Sequence, residues 1–427
     1  MMRTTVKRMA WFFFAVSFAF GAYAADPTIS DVVVRQRWPW SRLVDISYVL
    51  SCDATQSVDV ALSAWDGSTS LTLPIDSLSG DLYSVAPGAG RIVWNPTKSA
   101  YTNSILTRFR VTLTPTVSPV YMILDLTKAA GSSDQVEYIF PGDARLETYG
   151  RFTNVWFGVT NDSVYATTKL VMRRIRAGNF NMGASANIAT TLTKEFYAGV
   201  FQVTQRQWEL INGNKPSFFT NATYYATRPV EQVSYDSIRG PTNGTPHINW
   251  PLTGSAVSST SFIGRFRTKT GFDSFDLPTE AQWEYLCRAG TTTYYNDGLG
   301  TPANTASNTQ MAALGRYKYN GGLINGVSYP AQNCGLTNGT MSAGTYLPNA
   351  WGLYDTHGNI WEVCLDWSTG SLPGGTDPIG PTSGSSRVCR GGGFDSAGDR
   401  CSSAARGTSS SSEQSMGKGL RLIRNLP

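Results

Sequence analysis

Hydrophobic and polar residues alternate along the first quarter of the chain. The clearest run is 44–50, where Val, Ile, Tyr and Leu occupy every second position, and the same period of two recurs at 58–64 and 109–113. This alternation predicts short strands with one apolar face, separated by Gly, Pro and Asp turns. We therefore expect residues 25–119 to form an antiparallel β-sandwich of the immunoglobulin or fibronectin type, with Trp94 buried in it.

The pattern changes after this region. The apolar run VYMILDL at 120–126 predicts one more strand. We interpret the whole of 120–167 as a segment that bridges two domains. From residue 168 the predicted strands are shorter and the loops longer, so the second domain, 168–427, should be a loop-rich α+β unit.

Two helices of the second domain are predicted by capping boxes of the form T-x-x-Q. The first follows Thr204 and should stop at Gly213. The second is predicted at 279–289, where Trp283 and Leu286 share one face. That face should pack in the core, together with Cys287 beside it.

The first 24 residues are predicted to be a secretory signal peptide. A basic start precedes the apolar run MAWFFFAVSFAF at 9–20, and Ala22-Tyr23-Ala24 forms a small-x-small cleavage site. The apolar run is too short to span a bilayer, and no later run reaches about 18 apolar residues. We therefore expect an exported protein, secreted or periplasmic, with no membrane span once the signal is removed.

Charge and composition argue against several functions. Beyond residue 24, 32 basic residues face 30 acidic ones, a net charge of +2, which is too balanced for binding nucleic acid. There are only 2 histidines, His247 and His357, so neither a three-histidine metal site nor a Ser-His-Asp triad is expected. The 6 cysteines permit disulfides in an exported protein, but the sequence does not select a pairing.

Six motifs occur in one order over the second half of the chain. They are AGNFNMGA (177–184), EFYAGVFQVTQRQW (195–208), RPVEQVSYD (228–236), LPTEAQWEYLCRAGTTT (277–293), LPNAWGLYDTHGNIWEVCLDW (347–367) and SSRVCRGGGF with the following CSSAAR and GLRL (385–422). Through them the chain resembles the formylglycine-generating enzymes, the sulfatase-modifying factors, over about 168–425. The resemblance implies a fold with little regular structure, related to that of C-type lectins.

Active members of that family oxidise a cysteine of a sulfatase precursor to formylglycine, and two cysteines five residues apart hold their Cu(I). The corresponding positions here are Ser396 and Cys401, and Gly393 replaces a serine of the family. A serine hydroxyl stays protonated near neutral pH and is a hard, weak ligand for Cu(I). The resemblance therefore predicts an incomplete catalytic pair and an incomplete copper site.

The resemblance also implies a structural Ca²⁺ in the loop GLYDTHGNIWE. Its ligands map to the side chains of Asp355 and Glu362 and to the carbonyls of Gly358 and Ile360. These are hard oxygen donors of the kind that Ca²⁺ prefers. The alternative is that Asp355 caps a turn and Glu362 is a solvated strand residue. His357 lies inside this loop, and we interpret it as a packing or hydrogen-bonding residue.

Other residues between 364 and 421 allow more than one interpretation. The arginines at 390, 406 and 421 can tie loop carbonyls together or form a site for an anionic ligand. Cys401 can be a reactive thiol, a relic or half of a disulfide. We favour the disulfide, with Cys364 or Cys389 as its partner, because free thiols are uncommon in exported proteins.

Two functions remain open at this point. The chain is either a binding or structural module for a protein or glycan partner, or an active oxidase with a different ligand set. Some relatives lack the first cysteine, and one branch of them presents diversified binding surfaces. The stretch SSAARGTSSSSEQSMGKG at 402–419 fits such a surface or ordinary drift of a loop. We expect the binding or structural module.

Overall fold

β-Strands dominate the fold, and the helices are few and short. The computed structural model describes residues 26–54, 56–74, 77–149, 152–185, 187–240, 257–302, 305–321 and 331–426. The predicted signal peptide and His247 lie outside these ranges. None of the helices in the described ranges is both long and apolar enough to cross a membrane.

The strands, in chain order, are β1 Thr28–Gln36, β2 Val44–Ser51, β3 Val58–Asp66, β4 Thr69–Leu71, β5 Leu78–Gly80, β6 Gly88–Trp94, β7 Phe109–Val117, β8 Tyr121–Asp125, β9 Val136–Ile139, β10 Glu147–Tyr149, β11 Phe152–Val155, β12 Lys169–Ile175, β13 Gly178–Met182, β14 Ile188–Leu192, β15 Phe196–Gly199, β16 Phe275–Asp276, β17 Trp361–Trp367, β18 Gly375–Thr376, β19 Arg387–Arg390, β20 Arg406–Ser409, β21 Lys418–Gly419 and β22 Ile423–Asn425. The α-helices are α1 Gln205–Asn212, α2 Tyr235–Arg239, α3 Phe262–Thr270, α4 Glu280–Arg288 and α5 Thr309–Leu314. Short 3₁₀ turns lie at Pro96–Lys98, Phe157–Thr160, Ser163–Ala166, Tyr225–Thr227, Lys318–Asn320 and Gly398–Cys401.

The N-terminal strands form two antiparallel sheets, one in the order β1-β2-β6-β5 and one in the order β4-β3-β7. In β2, Val44, Ile46, Tyr48 and Leu50 are buried while the residues between them are more exposed, which confirms the period of two read from the sequence. These side chains share one apolar cluster with residues of β3 and β7, and Trp94 lies in the same cluster. One core therefore serves both sheets.

A six-stranded sheet in the order β16-β22-β15-β12-β8-β9 forms the centre of the rest of the chain. Both of its faces are covered: along β8, Met122 and Leu124 belong to one apolar cluster, and Tyr121 and Ile123 belong to the other. Burial on both faces explains why this segment reads as a continuous apolar run. Residues 120–167, predicted to bridge two domains, thus contribute β8 and β9 to this sheet, while the domain bounds stay a prediction.

A partly buried ion-pair network connects the N-terminal sheets to the six-stranded sheet. Arg174 in β12 donates to both carboxylate oxygens of Asp59 in β3, at 2.7 and 2.8 Å. The same guanidinium donates to Glu195 at 2.6 Å. A planar guanidinium suits this double role because its donors point in fixed directions.

Both predicted capping boxes are present. Thr204 caps α1 together with Gln207, and the helix ends at Gly213 in the left-handed conformation. Thr279 and Gln282 cap α4 in the same way. This helix ends at Arg288, one residue before the predicted end, because Ala289 adopts the left-handed conformation. All residues of α4 are buried, so the helix is enclosed on every side and not only on the predicted face.

Candidate functional site

Cys401 lies at the end of the 3₁₀ turn Gly398–Cys401 and is fully buried. It packs with Tyr295, Met311, Leu314 and Tyr317 in a small apolar cluster of which it is the only thiol. Burial raises the pKa of this thiol well above its ordinary value. A protonated thiol in an apolar cluster is a poor nucleophile and a poor metal ligand.

Ser396 forms hydrogen bonds through both its hydroxyl and its carbonyl. Its hydroxyl oxygen accepts a hydrogen bond from the backbone N–H of Gly393 at 3.0 Å, and its carbonyl accepts one from Lys318 at 3.0 Å. The hydroxyl therefore closes a local turn. Within the described ranges, no group of three or more His, Cys, Asp or Glu residues could hold a metal ion. These residues do not fit the two-thiolate copper site.

The predicted disulfide is wrong, since all 6 cysteines are free thiols. Cys401, Cys364 and Cys389 belong to three different apolar clusters, so the core separates the proposed partners. Cys287 and Cys364 share a cluster with Trp283 but are not bonded to each other. Neighbouring strands carry Cys364 and Cys389, but Cys389 lies opposite Val363, so the side chain of Cys364 points to the other face of the sheet.

The predicted calcium residues converge on one side chain. The amide nitrogen Nε2 of Gln202 donates to the carbonyls of Asp355, Gly358 and Ile360 at 3.1, 3.4 and 3.3 Å. It also donates to Oε1 of Glu362 at 3.0 Å. One amide group has two hydrogens, and here it meets four acceptors. We call these four oxygens and the Gln202 amide the oxygen cage.

Asp355 takes part differently from the prediction. Its carbonyl, not its carboxylate, belongs to the oxygen cage. The carboxylate accepts from the backbone N–H of Gly344 through Oδ2 at 2.7 Å, while Oδ1 is buried without a partner in the described ranges. Burial raises the pKa of Asp355 to about 6, and the nearby charge of Glu362 adds to the rise. The Oε1 atom of Gln202 is also buried without a partner there.

These observations fit a hard cation. Apart from the Gln202 amide nitrogen, the cage consists of oxygen atoms, and two further buried oxygens, on Asp355 and Gln202, have unused lone pairs. Oxygen-rich sets with a carboxylate are the ligands that Ca²⁺ uses. Sequence reasoning missed Gln202. Its one signal was a polar residue inside the apolar run AGVFQV, just before the N-cap of α1.

Glu362 is a buried strand residue and not a solvated one. Arg421 binds both of its carboxylate oxygens, at 2.8 and 2.9 Å. The indole N–H of Trp283 donates to Oε2 at 2.7 Å. Through these hydrogen bonds the buried carboxylate holds α4, β17 and the C-terminal segment together.

His357 is a hydrogen-bonding core residue, as predicted. Its Nε2 accepts from the backbone N–H of Asn296 at 3.2 Å, which leaves Nδ1 to donate to the carbonyl of Cys401 at 2.7 Å. Burial lowers the pKa of His357 to about 4. A neutral imidazole with both nitrogens engaged ties the loop GLYDTHGNIWE to the turn that carries Cys401.

The three arginines at 390, 406 and 421 do bind loop carbonyls. Each also forms an ion pair with a buried glutamate, and the sequence did not indicate these ion pairs. The ion pairs are Arg390–Glu284, Arg406–Glu280 and Arg421–Glu362, with N···O separations of 2.5, 2.6 and 2.8 Å. The carbonyls that accept from these arginines include those of Ser403, Ala405, Thr369, Gly199 and Tyr354. The paired carboxylates already satisfy these guanidinium groups, which leaves little for an anionic ligand.

A cleft of about 270 Å³ lies between the start of β17, β20 and the segment that joins β19 to β20. Trp361, Asp395, Arg400, Glu413 and Lys418 line it, together with small residues of β20. Lys418 is buried and contacts the hydroxyl of Ser409, and burial lowers its pKa. We call this feature the Trp361 cleft. It presents two basic and two acidic side chains around one indole, which is a mixed surface suited to polar recognition.

The model of the sulfatase-modifying factor enzyme 1-like domain matches residues 161–426. The chain belongs to the sulfatase-modifying factor enzyme 1-like family. It is 30% identical over 162 residues to a formylglycine-generating enzyme from Thermomonospora curvata, a match that covers 36% of this chain and 45% of that protein. The chain thus spans less than half the length of that relative.

Two further likenesses extend the comparison of this family member. A protein from Paenibacillus barcinonensis named chaperone protein LppX is 26% identical over 224 residues, covering 45% of this chain and 70% of that one. Treponema denticola variable protein 1 is 24% identical in sequence, with a TM-score of 0.45, and covers 60% of this chain and 96% of that one.

Proposed function

We propose that this member of the family is an exported binding and structural module without cysteine-to-formylglycine oxidase activity. The observation that carries the proposal is the environment of Cys401, which is fully buried as the only thiol of its cluster. Two-coordinate Cu(I) needs two soft ligands that face one point. Ser396 supplies a hard hydroxyl instead, and that hydroxyl is bound to the backbone of Gly393.

The binding surface is the Trp361 cleft. It lies beside the segment that carries the copper cysteines in active relatives, and Ser, Gly and Thr residues form part of its lining. Its unlike charges and central indole suit a segment of a partner protein better than a nucleic acid. The match to a protein named as a chaperone supports a role other than catalysis.

The proposed protein consists of an export signal and two folded units. Residues 1–24 are the export signal, residues 25–119 form a β-sandwich built from the two N-terminal sheets, and residues 168–427 adopt the C-type-lectin-like fold of formylglycine-generating enzymes. The shared apolar cluster of β2, β3 and β7 supports the sandwich. The ion pair between Arg174 and Asp59 supports a fixed arrangement of the two units.

We propose Ca²⁺ as a structural cofactor of this protein. Asp355, Gly358, Ile360 and Glu362 would hold the ion, and Gln202 would join them through Oε1 after its amide turns over. The buried, unpartnered Oδ1 of Asp355 supports this assignment. The ion would add rigidity to the loop that also carries His357.

The competing function is an active oxidase. The test compares wild type, Ser396→Cys and Cys401→Ser, each given Cu(I) and a cysteine peptide of sulfatase type in air, with mass spectrometry of the peptide. We expect no formylglycine and no tight copper binding from wild type, because one soft ligand is missing. Formylglycine made by wild type but not by Cys401→Ser would overturn the proposal.

A further inference from the structure

Two loops meet at one end of the N-terminal sheets. Residues 37–43 join β1 to β2, and residues 95–108 join β6 to β7. The guanidinium of Arg42 in the first loop donates to the carbonyl of Thr102 in the second at 2.9 Å, and to the side-chain oxygen of Asn103 at 3.3 Å. The two loops border an open cleft of about 550 Å³. We call this end of the N-terminal sheets the distal end.

The distal end lies away from the rest of the chain. β7 begins there at Phe109 and runs for 9 residues to Val117, after which the chain enters β8. A strand of this length spans about 30 Å. The opposite end of the sheets carries Asp59, which forms the ion pair with Arg174 of the six-stranded sheet. This separation leaves room for a flat surface to approach the distal end.

Three large apolar side chains are exposed at the distal end. Trp38 is 68% exposed, Trp40 is 91% exposed and Ile105 is 88% exposed. Trp38 lines the open cleft, and Ile105 lies between two residues that also line it, Ser104 and Leu106. Apolar surface in contact with water costs free energy, and indole rings concentrate at the boundary between lipid and water.

The segments that carry these side chains are basic. Residues 34–44 and 95–110 contain basic residues at 35, 37, 42, 98, 108 and 110, and neither segment contains an acidic residue. Arg35 is exposed, and neither it nor Arg42 forms an ion pair with a carboxylate in the described ranges. These two guanidinium groups therefore keep their positive charge uncompensated.

Two carboxylates lie close to the same end. Asp45 forms ion pairs with Arg37 and with Arg91 of β6, at 2.8 and 2.5 Å. Asp66 accepts a hydrogen bond from the backbone N–H of Arg108 at 2.7 Å. Even with both carboxylates counted, basic side chains outnumber acidic ones, so the distal end carries a net positive charge.

We propose that the distal end binds the surface of an anionic lipid bilayer. Trp38, Trp40 and Ile105 would enter the boundary between headgroups and acyl chains, and the arginines would stay among the phosphate groups. A protein partner would need an acidic surface shaped to accept two indoles, whereas an anionic bilayer meets both requirements without a defined shape. This binding goes beyond the proposed partner surface at Trp361 and does not depend on it.

The test is co-sedimentation of the full chain with vesicles of phosphatidylcholine alone and with vesicles that also contain the anionic lipid phosphatidylglycerol. We expect much tighter binding to the anionic vesicles, and high salt should weaken it by screening the attraction. The double variant Trp38→Ala, Trp40→Ala should bind about tenfold or more weakly, because affinity scales with the apolar area that enters the bilayer. Arg35→Gln should bind about fivefold more weakly, the effect of one basic residue near an anionic surface.

The matched controls are Leu347→Ala and Arg176→Gln, which change exposed residues of the second unit. Both should bind the vesicles like wild type, and all variants should keep the wild-type melting temperature because the changed side chains are exposed. Three results would overturn the proposal. They are equal or no binding of wild type to the two kinds of vesicle, full binding by the double variant, and self-association of the lipid-free chain that the double variant abolishes. The last result, seen by sedimentation velocity, would make the distal end an interface between copies.

Discussion

The amide nitrogen of Gln202 lies 3.0 Å from the carboxylate oxygen Oε1 of Glu362, although 160 residues separate them in the chain. Three backbone carbonyls surround the same nitrogen. An amide in this position meets more acceptors than it can satisfy. The oxygen cage therefore contains more acceptor oxygens than the two amide hydrogens can satisfy, and we expect it to bind a cation.

Free calcium should raise the melting temperature of wild type. A ligand that binds only the native state at about 100 times its Kd adds about 2.7 kcal/mol to the free energy of unfolding, so a rise of about 5 °C or more is expected. Asp355→Asn should reduce the rise, since it removes the buried charge. The measurement is a thermal melt in chelator and in millimolar calcium. Asp26→Asn, at an exposed position, is the control, and an unchanged wild-type melt would contradict the site.

Trp283→Ala should destabilise the protein by about 3–5 kcal/mol, because it opens a cavity in the core. Trp283→Phe isolates the hydrogen bond, since it keeps most of the apolar volume but removes the indole N–H that binds Glu362. Its expected cost is about 1–3 kcal/mol, the penalty for a buried acceptor that loses a donor. Urea unfolding of both variants provides the values. A loss below about 1 kcal/mol for Trp283→Ala would show that α4 is not buried as described.

Asp366 should make stability depend on pH. Its carboxylate is buried, accepts from the backbone N–H of Glu280 at 2.7 Å, and has a pKa that burial raises to about 7. The folded state therefore binds this proton more tightly than the unfolded state does. The contribution of Asp366 is fully present below the unfolded pKa of about 4 and is lost as the pH rises through about 7.

Asp366→Asn should remove that dependence, because the amide keeps an acceptor for Glu280 but does not ionise. Between pH 4 and 7, the unfolding free energy of wild type should fall relative to the variant by at most about 1.4 kcal/mol per pH unit. Urea titrations at several pH values measure the difference. Parallel pH curves for the two proteins would show that the carboxylate is not buried in its neutral form. Asp26→Asn again provides the control.

The thiols should all react once the protein is unfolded. Iodoacetamide in denaturant without reductant should add 6 groups, because all 6 cysteines are free. In the native state only the partly exposed Cys52 and Cys334 should react, since the other thiols are buried, and burial raises the pKa of Cys287 and Cys389 to about 12. Intact-mass measurement counts the adducts. Four adducts in denaturant would show that two of the cysteines are joined in a disulfide.

Some features were determined by the sequence alone because their causes are local. The alternation in β2 places every second side chain on one face, and the hydroxyls of Thr204 and Thr279 cap the helices that follow them within three residues. The order of the six motifs similarly identified the family. Within that family, the spacing of the motif was enough to show that Ser396 stands where active members have a cysteine, because the identity of a residue is read directly from the sequence.

Features that depend on contacts between distant parts of the chain were decided only by the tertiary structure. Gln202 gave almost no signal, because its role depends on carbonyls more than 150 residues away, at Asp355 and beyond. The disulfide prediction was wrong because spacing does not say which apolar cluster a thiol joins, and Cys401 is enclosed by side chains from α5 and from the residues on either side of that helix in the chain, Tyr295 and Tyr317. Tertiary packing brings these distant residues together, and no local sequence pattern predicts that packing.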